Sequence, residues 1–329
     1  MFHLKINYRC MNKTLKYITL FVLSLISLVA CNDNEMLGPT IFDTVNHGLD
    51  SSSYSFKFDS YLNDNYLKPY NLYFIYKMED KGTDMNYNLV PPTFDNAQKM
   101  AVLVKYLWFD VYTKIVGTDF MKTNSPRIIQ LIGSPAYNPV NGTMLLGLAE
   151  GGLKISLFRV NDLNTSDIIT MNEYYFKTMH HEFAHILHQK KTYPKEFNLI
   201  SYANYEPFSW QDRDEKVAQS LGFVSPYAGS QTREDFVETI ANYIVKTDAQ
   251  WNTILSNASQ GWVLSGNTYI PTADTDGVDG RAVILQKLAI CKTWLNDSWN
   301  IDLDALRQEV QTRQANINMN QLLSSINNY

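Results

Sequence analysis

Four of the six histidines in this chain, His180, His181, His185 and His188, fall within nine consecutive residues, and the apolar residues around them have helical spacing. Phe176, Met179, Phe183 and Ile186 recur at three- and four-residue spacing, the signature of one apolar stripe on an α-helix. At ~100° per residue, His181 and His185 lie roughly opposite that stripe, so the helix packs on one side and faces a cleft on the other. Two imidazoles at i and i+4 stand ~6 Å apart and can share one tetrahedral ion. Glu182, one position on, falls outside the ligand set but within reach of a metal-bound water, which is where a general base is needed. The pattern HExxH is short and arises by chance. Its weight here comes from the helical context, the opposed stripe and the strands before it. Surface histidines that merely meet solvent would have no reason to cluster in this way.

A catalytic zinc site takes three protein ligands and leaves a position open. The chain has only three cysteines, Cys10, Cys31 and Cys291, so neither a disulfide framework nor a cysteine-rich knuckle can be built and the ligands must be histidine and carboxylate. His188 shares the face at i+7 but lies ~10 Å along the axis from His181, too far for one ion. The extended motif HExxHxxGxxH is excluded, because His188 and Lys191 occupy its glycine and final histidine positions. A later helix offers Glu234, Glu238 and Asn242 on one face, with Asp235 beside them. The favoured reading takes Glu238 as ligand with Asp235 behind it; the alternative takes Glu234 as ligand with Glu238 behind it.

The rest of the chain organises around this helix. Lys13 and Lys16, the apolar run Tyr17 to Val29 and Leu28-Val29-Ala30-Cys31 form a leader ending in a pattern that resembles a bacterial lipobox. The run is shorter than the ~20 residues of a membrane-spanning helix. Residues 1–30 therefore read as a signal peptide, with a start at Met11 giving its more usual form, and Cys31 as the lipidated residue; an ordinary cleaved leader with an incidental cysteine is the plainer reading. Asn32-Asp33-Asn34-Glu35 resembles the short acidic tag of surface-exposed lipoproteins, and residues 31–53 read as a polar tether. Strands are expected at Asn71 to Lys77, Arg127 to Ser134, Thr143 to Ala149 and Leu153 to Val160, with one long helix from Phe94 to Phe120. The histidine helix is expected from Asn172 to Gln189, with Ser166 or Asp167 at its start. Arg233 to Val245, Arg281 to Asp297 and Leu303 to Arg313 read as later helices. The expected fold is α+β and zincin-like: residues 54–190 carry a small mixed sheet, a backing helix and the active-site helix, and a mostly helical part, 191–329, supplies the third ligand.

Several classes drop out. With 28 Lys+Arg against 33 Asp+Glu there is no basic field for nucleic acid or an anionic membrane face, so any membrane contact is through the lipid alone. No phosphate-cradling loop or Gly-x-Ser-x-Gly elbow is present. Asp274-Thr275-Asp276-Gly277 and Asp279-Gly280 lack the later glutamate of a calcium loop and read as a polar turn capping the next helix. Cys291 sits in an apolar helix and reads as core.

The run MHHEFAHILHQ (Met179 to Gln189), then Tyr193-Pro194-Lys195-Glu196-Phe197, Ser225-Pro226-Tyr227-Ala228 and Glu234-Asp235-Phe236-Val237-Glu238, together with the lipobox, resembles the substrate-import-associated zinc metallohydrolase lipoproteins. The resemblance spans essentially the whole mature chain and is specific in combination. It implies a gluzincin-like Zn2+ site with His181, His185 and Glu238, a lipoprotein of the outer membrane, and a place beside a TonB-dependent transporter and its binding lipoprotein. It implies no particular substrate. Hydrolysis of a peptide or glycopeptide is expected, with Glu182 passing the proton and Tyr227 as oxyanion donor. The rival is a non-catalytic substrate-binding or accessory lipoprotein of the importer, against which the presence of Glu182 argues.

Overall fold

The computed structural model describes residues 49–78, 87–139, 142, 144–145, 147–150, 153–273 and 277–329. The leader, Cys31, most of the tether and Asp274 to Asp276 lie outside them.

Helix α1 (Phe56–Leu62) is followed by β1 (Tyr73–Ile75), the core of the strand expected there. The long helix begins as α2 (Phe94–Val104), where the Thr93 side chain accepts from the Asn96 amide. It passes through a π-helical turn at Lys105–Phe109 and continues as α3 (Asp110–Val116). It does not run unbroken to Phe120. Gly117, at φ 98, takes a backbone conformation that side chains disfavour, and α4 (Thr118–Asn124) starts afresh after it.

Strands β2 (Ile128–Leu131), β5 (Gly147–Glu150) and β6 (Lys154–Leu157) join β1 in a four-stranded sheet of order β1-β2-β6-β5. β1, β2 and β6 are parallel, and β5 runs antiparallel to β6 on the edge. The register pairs Ile129 with Ile155 and Leu131 with Leu157, so the apolar positions of both strands reach the core on one face. The stretch expected as one strand at Thr143 to Ala149 serves two ladders. Its first part, β4 (Met144–Leu145), pairs with β3 (Ala136–Tyr137) in a separate hairpin, and only β5 joins the main sheet.

The histidine helix starts at α5 (Ile168–Met171), where Asp167 accepts from the Thr170 amide, and runs through a π-helical turn at Asn172–Phe176 into α6 (Lys177–Lys190). Phe176, Met179 and Phe183 are fully buried, as their spacing requires. Phe183 meets Trp108 and Tyr112 edge to face, with centroids 5.1 and 4.9 Å away, which fixes α6 against the long helix.

The second half is mainly helical: α7 (Glu215–Ser220), α8 (Thr232–Val245), α9 (Asp248–Asn257), α10 (Gly280–Trp299), α11 (Leu303–Ala315) and α12 (Met319–Asn327). It also contains an unexpected hairpin of β7 (Gly261–Ser265) and β8 (Thr268–Thr272), closed by Gly266-Asn267 with Gly266 at φ 61. Asp279 caps α10 by accepting from the Ala282 amide, as the polar-turn reading requires, and Cys291 is fully buried. Residues Ser51–Tyr329 make one contact unit whose main apolar cluster runs from Phe58 to Ile326. Within it α8 lies along α6. Phe236, Val237, Ile240 and Ile244 turn into the core, which leaves the acidic face of α8 toward the histidines.

Candidate metal centre

Across the α6–α8 contact, Glu234 Oε2 stands 3.1 Å from His181 Nε2 and 3.2 Å from His185 Nε2. The three side chains bring their ligand atoms within 4.8 Å of one another. With bonds of ~2.0–2.2 Å, two ligands of a tetrahedral zinc ion sit on the order of 3.3 Å apart, so these spacings fit the ion. The charge balance fits too. Burial opposes a charged imidazole, yet hydrogen bonds to Glu234 and Glu238 raise His181 to about 10. Burial likewise opposes an ionised Glu234, yet its bonds to His181 and His185 hold it well below the usual carboxylate range. Two imidazole nitrogens and a carboxylate oxygen are a donor set that zinc takes, and the carboxylates of Glu234 and Glu238 would balance its charge.

Each histidine is oriented from behind. His181 Nδ1 lies 2.9 Å from Glu238 Oε1, while Glu238 Oε2 accepts from Ser225 Oγ at 2.6 Å and Asn242 Nδ2 at 3.1 Å. Burial disfavours the Glu238 anion, but Lys177, His181 and Ser225 bring it down to about 2. His185 Nδ1 lies 2.9 Å from His188 Nε2, which places His188 behind His185 and outside the convergent group. His180 points the other way, buried, its Nδ1 2.9 Å from the Tyr112 hydroxyl.

Two expectations are therefore redrawn. Glu234, not Glu238, comes together with His181 and His185; Glu238 occupies the supporting position behind His181. Asp235 supports neither histidine. Its carboxylate is fully buried on another side of α8, 2.6 Å from Lys287 Nζ and 2.7 Å from the donating Tyr205 hydroxyl. Lys287 also donates to the carbonyl of Gly222, whose φ of 86 suits glycine. This pair ties α10 to α8. Lys287→Ala would strand a buried carboxylate and is expected to cost about 3–5 kcal/mol. Thermal or denaturant unfolding checks this, and pairing it with Asp235→Ala should recover part of the loss. An additive double variant would mean that the pair is not coupled.

Glu182 is 9 % exposed and lines a cavity of ≈ 460 Å³ with His181, Tyr227, Trp210, Lys177 and Lys246. Burial raises its carboxyl, as suits a group that must take up a proton. Tyr227, on the turn before α8, stacks on His181 at 5.9 Å and is braced by Trp210 at 4.9 Å. Although the residue is partly exposed, desolvation of its phenol together with the charge of Glu234 and a hydrogen bond to it pushes the group far above the usual range, so the hydroxyl keeps its proton. Asn242 was on the face read from the sequence, but Ser225 carried no signal of its role beyond lying in the segment before Tyr227.

Residues 52–304 match the family described as "Putative zinc-binding metallo-peptidase". The crystal structure of a protein of that same description from Bacteroides caccae is similar at 37 % identity and a TM-score of 0.64, covering 80 % of this chain and 94 % of that one. No curated protein matches the sequence.

Proposed function

Because the chain belongs to this family of zinc-binding metallo-peptidases, we propose that it hydrolyses peptide bonds at a centre whose ligands are His181, His185 and Glu234. The observation that carries this is the meeting of Glu234 Oε2 with both Nε2 atoms at zinc spacing, with a buried glutamate beside them. Bound zinc supplies a Lewis acid that polarises a carbonyl and acidifies water.

The chain's own groups do the rest. Glu182 takes the proton of the attacking water and returns it to the leaving amine. Glu238 and His188 hold the two imidazoles in the orientation that turns their Nε2 atoms toward Glu234. Tyr227 offers its hydroxyl to the developing oxyanion. Incubating zinc-loaded protein with an unbiased peptide library and reading new termini by mass spectrometry tests the proposal: cleavage that a chelator stops is expected, and intact peptides throughout would refute it. Tyr227→Phe is expected to keep zinc and the stack on His181 while lowering kcat by about 10²–10³-fold. An unchanged kcat removes Tyr227 from the chemistry.

The leader and the family resemblance support a further reading, that Cys31 carries a lipid and holds the domain at the outer membrane, on its outer face, where it trims peptides or glycopeptides for a TonB-dependent transporter and its binding lipoprotein. Incorporation of labelled fatty acid by the wild type but not by Cys31→Ala is expected; equal labelling of both would remove the anchor.

A further inference from the structure

The cavity extends along α6 to a charged wall that the hydrolytic steps do not use. Glu173, Lys177 and His181 follow at four-residue spacing, so Lys177 stands one turn before His181 on the same face, ~5.4 Å along the axis. Its side chain is 13 % exposed, and Nζ donates to Glu173 Oε1 at 2.8 Å. Lys246, just past the end of α8, reaches the other oxygen of Glu173 at 3.5 Å. Two ammonium groups thus share one carboxylate.

Two neighbouring acids, Glu238 and Glu215, act on Lys177 by charge while their hydrogen bonds go to other groups. Glu238 is held by His181, Ser225 and Asn242, and Glu215, exposed at the cavity rim, accepts from Gln219. Near Lys177, burial opposes the charged form but the surrounding acids raise the pKa, so it stays an ammonium. An ammonium has three donors, and Glu173 takes one.

We propose that this wall is a subsite for a carboxylate of the substrate, gripped by Lys177 together with Lys246; this rests on reading the cleft as a peptide site. An extended peptide advances ~3.3–3.6 Å per residue, so a turn of helix corresponds to one or two residues from the scissile bond. The carboxylate is either an acidic side chain or the free C-terminus. A basic side chain in the same place would meet the two ammonium groups directly, on either side of Glu173.

Equilibrium binding to zinc-loaded Glu182→Gln protein tests this without turnover. The probes are acetylated hexa-alanine peptides carrying Glu or Gln at each position in turn, each ending as the acid or the amide. Binding about tenfold tighter for one Glu/Gln pair assigns the subsite to a side chain, and the same preference for acid over amide assigns it to the C-terminus. Either preference should vanish in Lys246→Met with zinc content unchanged, and in Lys177→Met measured at saturating zinc, since Lys177 also steadies the Glu238 anion. Equal binding across all pairs, no binding by any, or a preference that survives both substitutions overturns the subsite. The peptidase reading fails separately, if the wild type cleaves none of the peptides it binds.

Discussion

Glu182→Gln is expected to keep its zinc and lower peptide hydrolysis by about 10²–10⁴-fold. The substitution is nearly isosteric, and Glu182 lies outside the His181, His185 and Glu234 group, so the metal site has no reason to collapse. What is lost is a carboxylate held in a mostly buried position beside His181 and tuned upward by that burial, so that it can accept a proton and release it again. Metal analysis and kcat measured side by side decide the matter. A variant as active as the wild type would take Glu182 out of the proton path, and one that loses zinc would make its role structural.

The two glutamates of α8 are expected to separate sharply in their effect on zinc. Glu234→Gln removes one of the three groups whose donor atoms converge, so zinc affinity should fall far below that of the wild type. Glu238→Gln keeps an amide oxygen but removes the charge behind His181 and disturbs the bonds from Ser225 and Asn242, and a loss of about 10–100-fold is expected, as for supporting groups at other metal sites. Competition against a chromophoric chelator measures both. The reverse order would move Glu238 into the ligand set. His188→Ala acts on His185 as Glu238 does on His181 and belongs with the milder pair.

The histidine helix was legible because everything that defines it is local. Spacing alone sets which residues share a face, so His181, His185, Glu182 and the buried stripe of Phe176, Met179 and Phe183 follow from the residues in order. The third partner was not local. Glu234 and Glu238 stand one turn apart on the same face of α8, and which of them reaches the Nε2 atoms of both histidines depends on the axial offset between α8 and α6, a tertiary quantity. Asp235 misled for a related reason. One residue of helical rotation carries it round to Lys287, on an element beginning more than forty positions later.

Punctuation was the weaker signal in the fold. The apolar periodicity of the long helix runs past Gly117, although its backbone breaks there at φ 98. The run around Met144 to Glu150 reads as one strand because both its ladders use extended chain; only the pairing divides it. The β7–β8 hairpin had its turn signal in Gly266-Asn267, between residues that favour strands, and Pro271 weakened the second of them.

The most direct test is diffraction at the zinc absorption edge from crystals of the zinc-loaded protein. The expected result is one anomalous peak about 2.0–2.2 Å from His181 Nε2, His185 Nε2 and a carboxylate oxygen of Glu234, with Glu238 still bonded to His181 Nδ1. A peak coordinated by Glu238 in place of Glu234, or no peak between α6 and α8 with zinc in excess, contradicts it.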